Sequence, residues 1–243
     1  MSEERQSASI SGSGNLSGGT YSRISISGSG KVNGDIVVEE MKISGSGKVN
    51  GKCEAGQITV SGSGTFTDAV LAEEFRISGS GKVGGEVRAK ELKCSGSFQT
   101  TGGIASDYIK ISGSLRTGGD VEADIFRATG GFEIHGLLSA DKIEIHLGGR
   151  CRAKEIGGER IEVTRGSSSL LAGLVRILGV GGGVMGLETA VIEADEILLE
   201  DTHADVVRGK SVVIGSGCRI GLVEYENELR VESDAEVKEQ RQT

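Results

Sequence analysis

Proline and tryptophan are both absent from the 243 residues, and the aromatic side chains number eight, five Phe and three Tyr. The 41 glycines therefore cannot belong to a collagen-like chain, which needs proline as well and a strict period of three. So few aromatics leave little to stack bases or line a drug-sized pocket. Basic residues are outnumbered 27 to 35, a formal net charge of −8. That balance argues against a dedicated nucleic-acid binder, whose affinity comes mostly from neutralising phosphates. Hydrophobic content of 36%, rich in Ile, Val and Leu, excludes an acidic disordered chain. The start, Met1-Ser-Glu-Glu-Arg-Gln, has no apolar run and does not read as a signal peptide. The four cysteines, Cys53, Cys94, Cys151 and Cys218, show no CxxC spacing and are expected to be reduced thiols. No run of about 20 apolar residues spans a bilayer cleanly, although Ser167 to Leu187 comes nearest.

What is present is a repeat. Ser-Gly-Ser-Gly follows Ile10, Ile26, Ile43, Val60 and Ile77; Ser-Gly-Ser follows Cys94 and Ile111; degenerate versions follow Ala128 and Ile145. From Ile26 to Ile145 the starts fall seven intervals of 17 apart with no slip. Further columns keep the same step: Met41, Ile58, Phe75, Leu92, Ile109, Phe126, Ile143, then Ile36, Cys53, Val70, Val87, Ile104, Val121, Leu138. A small-residue column reads Val38, Ala55, Ala72, Ala89, Ser106, Ala123, Ala140.

Within one copy, apolar and small residues alternate with polar ones, the period-two pattern of strands with one buried face. Parity breaks once, at Glu39-Glu40, which predicts an outward corner. No spacing of three and four indicates a helix in the repeat. A 17-residue unit of short strands cannot close its own core, so copies must stack. The inward volumes agree. Copies with Ser-Gly-Ser-Gly place Val32, Val49, Phe66 or Val83 two positions on; copies without the second glycine put Phe98, Leu115 or Phe132 in its place. The sequence predicts an all-β parallel β-solenoid with about 17 residues per coil. Nine starts at ~4.8 Å each give a rod on the order of 40 Å before the C-terminal part.

The repeat degrades after Ile145. Ala153-Lys-Glu-Ile156 still resembles Ala89-Lys-Glu-Leu92, but Gly157-Gly158 shifts the phase. The expected organisation is an N-terminal tail at 1–9, a regular solenoid at 10–164 and an apolar, glycine-rich insertion at 165–187. A second, less regular solenoid section follows at 188–232, then a charged C-terminal tail at 233–243. Leu170, Leu171, Leu174, Val175, Ile177 and Leu178 suit a short amphipathic helix. That helix would be either a membrane-surface or partner-binding element or a cover for the solenoid flank.

Little in the chain reads as chemistry. His135, His146 and His203 have no ligand-spaced partners. Cys53, Cys94 and Cys151 occupy inward columns, while Cys218, in a tight glycine turn, is the cysteine to test for reactivity. Gly181-Gly-Gly-Val-Met-Gly186 satisfies GxGxxG, but the residues after it read as strand rather than the helix a dinucleotide site requires. Lys42, Arg76, Lys93, Lys110 and Arg127 form a basic ladder beside a corner bearing Glu39, Glu73, Asp107, Asp124 and Asp141, with neutralisation by that corner expected. No catalytic residue, cofactor, metal, nucleic-acid or small-molecule substrate site is expected.

The Ile-Ser-Gly-Ser-Gly-Lys-Val-Asn/Gly-Gly repeat over residues 10 to about 163 resembles the bactofilins, polymer-forming cytoskeletal proteins of bacteria. The stretch from Glu193-Ala-Asp-Glu-Ile to Val206-Val-Arg-Gly-Lys is similar to longer members from Gram-positive bacteria. The resemblance implies a right-handed, roughly triangular β-helix and nucleotide-independent, non-polar filaments, scaffolds for envelope, shape or motility machinery. It also implies a cytoplasmic protein, peripheral at the inner face of the cell membrane. A solenoid end exposes unpaired strand edges and core. Self-association is therefore expected through Ile10, Leu16 and Ile24 at the N-terminal coil and, more weakly, through Leu229 and Val231. The rival reading is a discrete dimeric or oligomeric scaffold recruiting a membrane surface or protein partner through the insertion or a solenoid face.

Overall fold

The computed structural model describes residues 6–166 and 186–243. It is a parallel β-solenoid of about 13 turns at about 17 residues per turn, with 80% of the described residues in strands. Among the described residues there is no helix, as the period-two pattern requires. The chain divides into two compact units, Met1–Ala123 and Asp124–Thr243.

The first unit holds β1 (Gln6–Ile10), β2 (Ser13–Ile26), β3 (Ser29–Ile43), β4 (Ser46–Asn50), β5 (Cys53–Val60), β6 (Ser63–Phe66) and β7 (Val70–Ile77). It continues with β8 (Ser80–Val83), β9 (Val87–Cys94), β10 (Ser97–Thr100), β11 (Ile104–Ile111), β12 (Ser114–Thr117) and the start of β13 (Val121–Ala128). Every pairing within the unit is parallel and joins equivalent positions of successive coils. Met41, Ile58, Phe75, Leu92 and Ile109 are stacked in register, and so are Ile36, Cys53, Val70, Val87 and Ile104. Each coil has three faces, seen in the coil that runs through β4 and β5. Ser46–Asn50 forms one; β5 bends at the consecutive outward pair Gly56-Gln57 into the other two.

The volume pattern is realised inside. Val32, Val49, Phe66, Val83, Phe98 and Leu115 are all buried, and Phe66, Phe75 and Phe98 meet edge to face at centroid distances of 5.8 and 5.4 Å. Thr100 and Thr117 take inward sites without strain because their hydroxyls donate to the carbonyls of Gly85 (2.6 Å) and Gly102 (2.7 Å). The first glycine of each motif has a different reason. Gly28, Gly45, Gly62, Gly79, Gly96 and Gly113 stack at one corner, where a Cβ would overlap the carbonyl oxygen of the preceding glycine in the column.

The second unit begins within β13 and contains β14 (Gly131–Leu147), β15 (Arg150–Arg165), β16 (Gly186–Leu199), β17 (Thr202–Ile214), β18 (Arg219–Val231) and β19 (Glu236–Gln242). Its coils vary in length. β14 meets β15 at a step of 19 residues (Phe132↔Cys151) that tightens to 18 across a bulge (Leu138↔Ile156). β16 to β17 is a constant 15-residue step (Leu187↔Thr202, Leu199↔Ile214), and β17 to β18 widens from 16 to 17. The apparent likeness of Ala153–Ile156 to Ala89–Leu92 is therefore misleading. Ala153 aligns with Ile134 and Ile156 with Leu138, while the small-residue column continues at Gly158, opposite Ala140. The longer coil, not Gly157-Gly158 alone, moves the phase.

Two segments read as tails are strands in part. Residues 6–9 lie in β1, which pairs with Tyr21–Ile26, and residues 236–242 form β19 against Arg219–Tyr225. In each, backbone groups find a ladder that the polar side chains do not advertise. Leu170, Leu171, Leu174, Val175, Ile177 and Leu178 lie outside the described residues. No helix among the described residues is long and apolar enough to cross a membrane.

Candidate functional site

The terminal strand edges are the first candidate. β1 covers the second half of β2, with Ala8 opposite Ile24 and Ile10 opposite Ile26. Ile24 is thus 0% exposed and does not belong to the outermost coil, contrary to expectation, because residues 6–9 reach back to pair over it. Among the described residues, the first half of β2, Ser13–Ser17, pairs only with Ser29–Asn33. Leu16, half-buried, lies on that open edge, and Ile10 is buried at 7% beside it. Residues 6–20 carry no charged side chain.

At the other end β19 covers the first half of β18. Among the described residues, Glu228–Val231 pairs only with Ser211–Ile214. Leu229 is half-buried and Val231 is exposed at 37%. This edge is charged. Glu224 accepts from Arg208 at 2.7 Å and from Arg241 at 2.9 Å, and these guanidinium hydrogen bonds hold its carboxyl below the usual carboxylate range.

The three faces of the first unit differ in charge. On the first face, Ser29, Ser46, Ser63, Ser80, Ser97 and Ser114 form one outward column, and Lys31, Lys48, Thr65, Lys82, Gln99 and Arg116 form the next. No acidic residue of the unit occupies these columns. Asn50 donates to Asn33 Oδ1 at 2.9 Å, which ties adjacent coils at the face's border. The second face centres on the column Val37, Glu54, Leu71, Arg88, Ala105. With its corners and Glu122 it carries Asp35, Glu39, Glu54, Asp68, Glu73, Glu86, Asp107, Asp120 and Glu122 against Lys52, Arg88 and Lys90, a net of −6.

The third face holds the ladder that begins at Lys42, and two of its members are paired in place: Arg76 with Glu74 and Lys93 with Glu91, each partner lying in the adjacent outward column, where Arg23 also pairs with Glu40. Glu73 pairs with Lys90, one coil away, at 2.9 Å.

Nucleophiles and metal ligands are not assembled here. All four cysteines are buried; burial pushes the thiols of Cys53 and Cys151 up to about 12 and those of Cys94 and Cys218 up to about 11. Cys218 is therefore a core thiol, not a reactive turn cysteine. His146 Nδ1 meets Thr164 Oγ1 at 2.7 Å, His135 meets Glu133 at 3.3 Å, and His203 lines a groove of about 500 Å³ with Glu188, Asp205 and Arg219. Among the described residues no cluster of three or more His, Cys, Asp or Glu could hold a metal ion. After the glycine run comes strand β16, not a helix, so the dinucleotide pattern lacks its phosphate-binding terminus.

Comparison with known proteins agrees with this architecture. A family model described as bactofilin, polymer-forming cytoskeletal, matches residues 5–105. Residues 5–105 are similar to a bactofilin domain. The uncharacterized proteins YhbF and YhbE of Bacillus subtilis (strain 168) are each 38% identical, over 86 and 92 residues. Those stretches cover 35% and 37% of this chain and 32% and 35% of the relatives, so the likeness spans about a third of each relative's length. No solved structure matches the chain.

The bactofilin match ends at residue 105, and the structure places one further cluster beyond it. Asp201 adopts φ 43°, a left-handed conformation that only Gly, Asn and Asp visit readily. Its carboxylate accepts from Arg165 Nε at 2.7 Å and Nη2 at 3.1 Å, while its carbonyl accepts from the Leu187 N–H at 3.2 Å. Arg165 ends β15 and Leu187 lies at the start of β16, so one residue fastens both strands that flank residues 166–185. Sequence reading missed this clasp because its members lie 36 residues apart and share no repeat position. The Lys31, Lys48, Lys82 column is legible in the sequence, being spaced in multiples of 17.

Proposed function

We propose that this chain is a structural protein that assembles end to end, without nucleotide, into non-polar filaments serving as a cytoskeletal scaffold. The observation that carries this reading is the uncovered first half of β2. Its edge away from β3 meets no strand among the described residues, Leu16 is only half-buried, and no charge from residue 6 to 20 guards the edge. Natural sheets usually blunt such an edge with lysine, proline or a cover. Pairing with the same edge of a second copy would be isologous and would satisfy both ladders. The bactofilin domain's polymer-forming family supports the same conclusion.

In this reading residues 10–164 and 188–232 are two solenoid sections of a scaffold for envelope, shape or motility machinery, separated by the insertion at 165–187. The protein is cytoplasmic and peripheral to the membrane, its partner in assembly is itself, and it catalyses no reaction. The charge on β18 and β19 favours a second reading. If only the N-terminal edge associates, assembly stops at a dimer that serves as a discrete scaffold, with the insertion free to engage a membrane surface or protein partner.

The test is Leu16→Lys, because Ile24→Lys would place a charge in the core and unfold the coil. Sedimentation velocity should show wild type well above the monomer mass of 25.1 kDa and the variant at it, with an unchanged thermal melt. Equal assembly by both proteins would refute the N-terminal contact.

A further inference from the structure

We propose that Asn33-Gly34 is a site of spontaneous backbone modification, where the Asn33 amide becomes an aspartyl or isoaspartyl carboxylate, and that Asn50 promotes the conversion. The reaction does not depend on end-to-end assembly. The chain has four asparagines, Asn15, Asn33, Asn50 and Asn227, and only Asn33 and Asn50 precede glycine. These two stand at the same corner of successive coils. Gly34 has φ 106° and Gly51 φ 142°, a backbone conformation that favours glycine. A Cβ on Gly51 would also stand 2.7 Å from the Gly34 carbonyl carbon. The corner therefore dictates glycine, while the hydrogen bond that Asn50 Nδ2 donates to Asn33 Oδ1 at 2.9 Å uses asparagine just before it. Further along, the corner reads Thr67-Asp68, Gly84-Gly85, Thr101-Gly102 and Gly118-Gly119, so the Asn-Gly pair is confined to these two coils.

Glycine lacks the side chain that would shield its own nitrogen from the preceding amide. The Gly34 nitrogen, on losing its proton, attacks Asn33 Cγ. The new C–N bond closes a cyclic succinimide, the Cγ–Nδ2 bond breaks, and Nδ2 leaves with that proton as ammonia. Water then breaks one of the two ring bonds to the Gly34 nitrogen. Cleavage at Cγ leaves aspartate; cleavage at the main-chain carbonyl carbon reroutes the backbone through Cγ as isoaspartate. The attack puts negative charge on Asn33 Oδ1, the atom to which Asn50 already donates, so Asn50 acts as an oxyanion donor. Asn33 and Gly34 are exposed, and β3 bulges there, its register with β2 passing from Ser17↔Asn33 to Gly19↔Ile36. That bulge gives the reacting bonds a freedom that a regular ladder denies. Asn50 is half-buried, its amide is the donor, and the Gly51 N–H already donates to Thr67 Oγ1 at 3.2 Å, so it reacts more slowly. Isoaspartate would lengthen the backbone at the residue that pairs with Ser17 on one side and Asn50 on the other. It therefore loosens the uncovered half of β2 as the protein ages.

The experiment incubates the full chain in isotopically labelled water at neutral and mildly alkaline pH. Peptide mass spectrometry follows amide-to-acid exchange at each asparagine, and labelling by an isoaspartyl methyltransferase detects the rerouted backbone. Wild type should convert first at Asn33, more slowly at Asn50, and not at Asn15 or Asn227 over the same period. The product should carry one solvent oxygen, and the rate should rise with pH. Asn50→Ala should slow conversion at Asn33 by about three- to tenfold, less than loss of a buried oxyanion donor because the site is exposed. Asn50→Asp, which keeps the side-chain shape and cannot donate, should do the same if Asn50→Ala lowers the melt. Asn33→Gln should keep the fold and stop the reaction there. Three results would overturn the proposal: no conversion at Asn33 in the folded protein while the urea-unfolded chain converts, Asn50 converting ahead of Asn33, or a rate at Asn33 that neither Asn50 variant changes.

Discussion

Phe98 lies directly over Gly81 in the neighbouring coil, its Cδ2 only 3.1 Å from where a glycine Cβ would stand. The glycine makes room for the ring, and the ring fills the space of a position that is itself glycine in five other coils. Phe98→Ala should cost about 3–5 kcal/mol, since the cavity is walled by Phe75 and rigid backbone and cannot collapse. Gly81→Val should cost about 1–3 kcal/mol by overpacking. Urea titration checks both; a loss under about 1 kcal/mol for Phe98→Ala would show that neighbouring coils close the gap.

Gly62 and Ser63 are neighbours with opposite tolerance. A Cβ on Gly62 would overlap the carbonyl oxygen of Gly45, so Gly62→Ala must push two coils apart and should cost at least about 2 kcal/mol. Ser63 points outward on the first face, and Ser63→Ala should fall within about 0.5 kcal/mol of wild type. Equal melting temperatures for the two variants would contradict a close-stacked glycine corner.

The buried thiols set an alkaline limit. Cys53 and Cys151, at about 12, lie above the ordinary thiol value of about 9. In the unfolded chain these groups ionise from about pH 9, while in the folded state they stay protonated. Stability is therefore intact below pH 9 and falls between about 9 and 12, by up to about 1.4 kcal/mol per pH unit for each thiol. Replacing Cys53 and Cys151 with Ala should flatten that fall. A thiol reagent at neutral pH should modify the native protein no faster than it unfolds; rapid labelling of any cysteine would overturn its placement in the core.

Asp201 has two structural duties, a left-handed backbone and a carboxylate that clasps Arg165. Asp201→Asn keeps a residue that tolerates this φ and removes the charge pair. Asp201→Ala loses both and should cost more, about 2 kcal/mol in total. Thermal melts that rank Asn at or below Ala in stability would contradict this assignment.

Most of the first unit was legible because one coil length holds from Ile26 onward. Ile26, Ile43, Val60 and Ile77 fall 17 apart, so facing, corner and core volumes could be read by counting. The second unit was only partly legible because its steps are 19, 18, 15, 16 and 17 residues, and Ala153 imitates a column to which it does not belong. β1 and β19 were hidden for another reason. Gln6-Ser-Ala-Ser and Glu236-Val-Lys-Glu-Gln pair through backbone, which polar side chains neither forbid nor reveal. The charged faces lay between these cases. The columns were visible, but which acid each base meets depends on strand geometry, and Arg76 chose Glu74 over Glu73.

Negative-stain electron microscopy of the purified chain, without nucleotide or metal, addresses self-assembly most directly. The expected image is filaments whose length grows with protein concentration and which disappear in Leu16→Lys. Uniform particles of single-subunit size at every concentration, for wild type and variant alike, would contradict it.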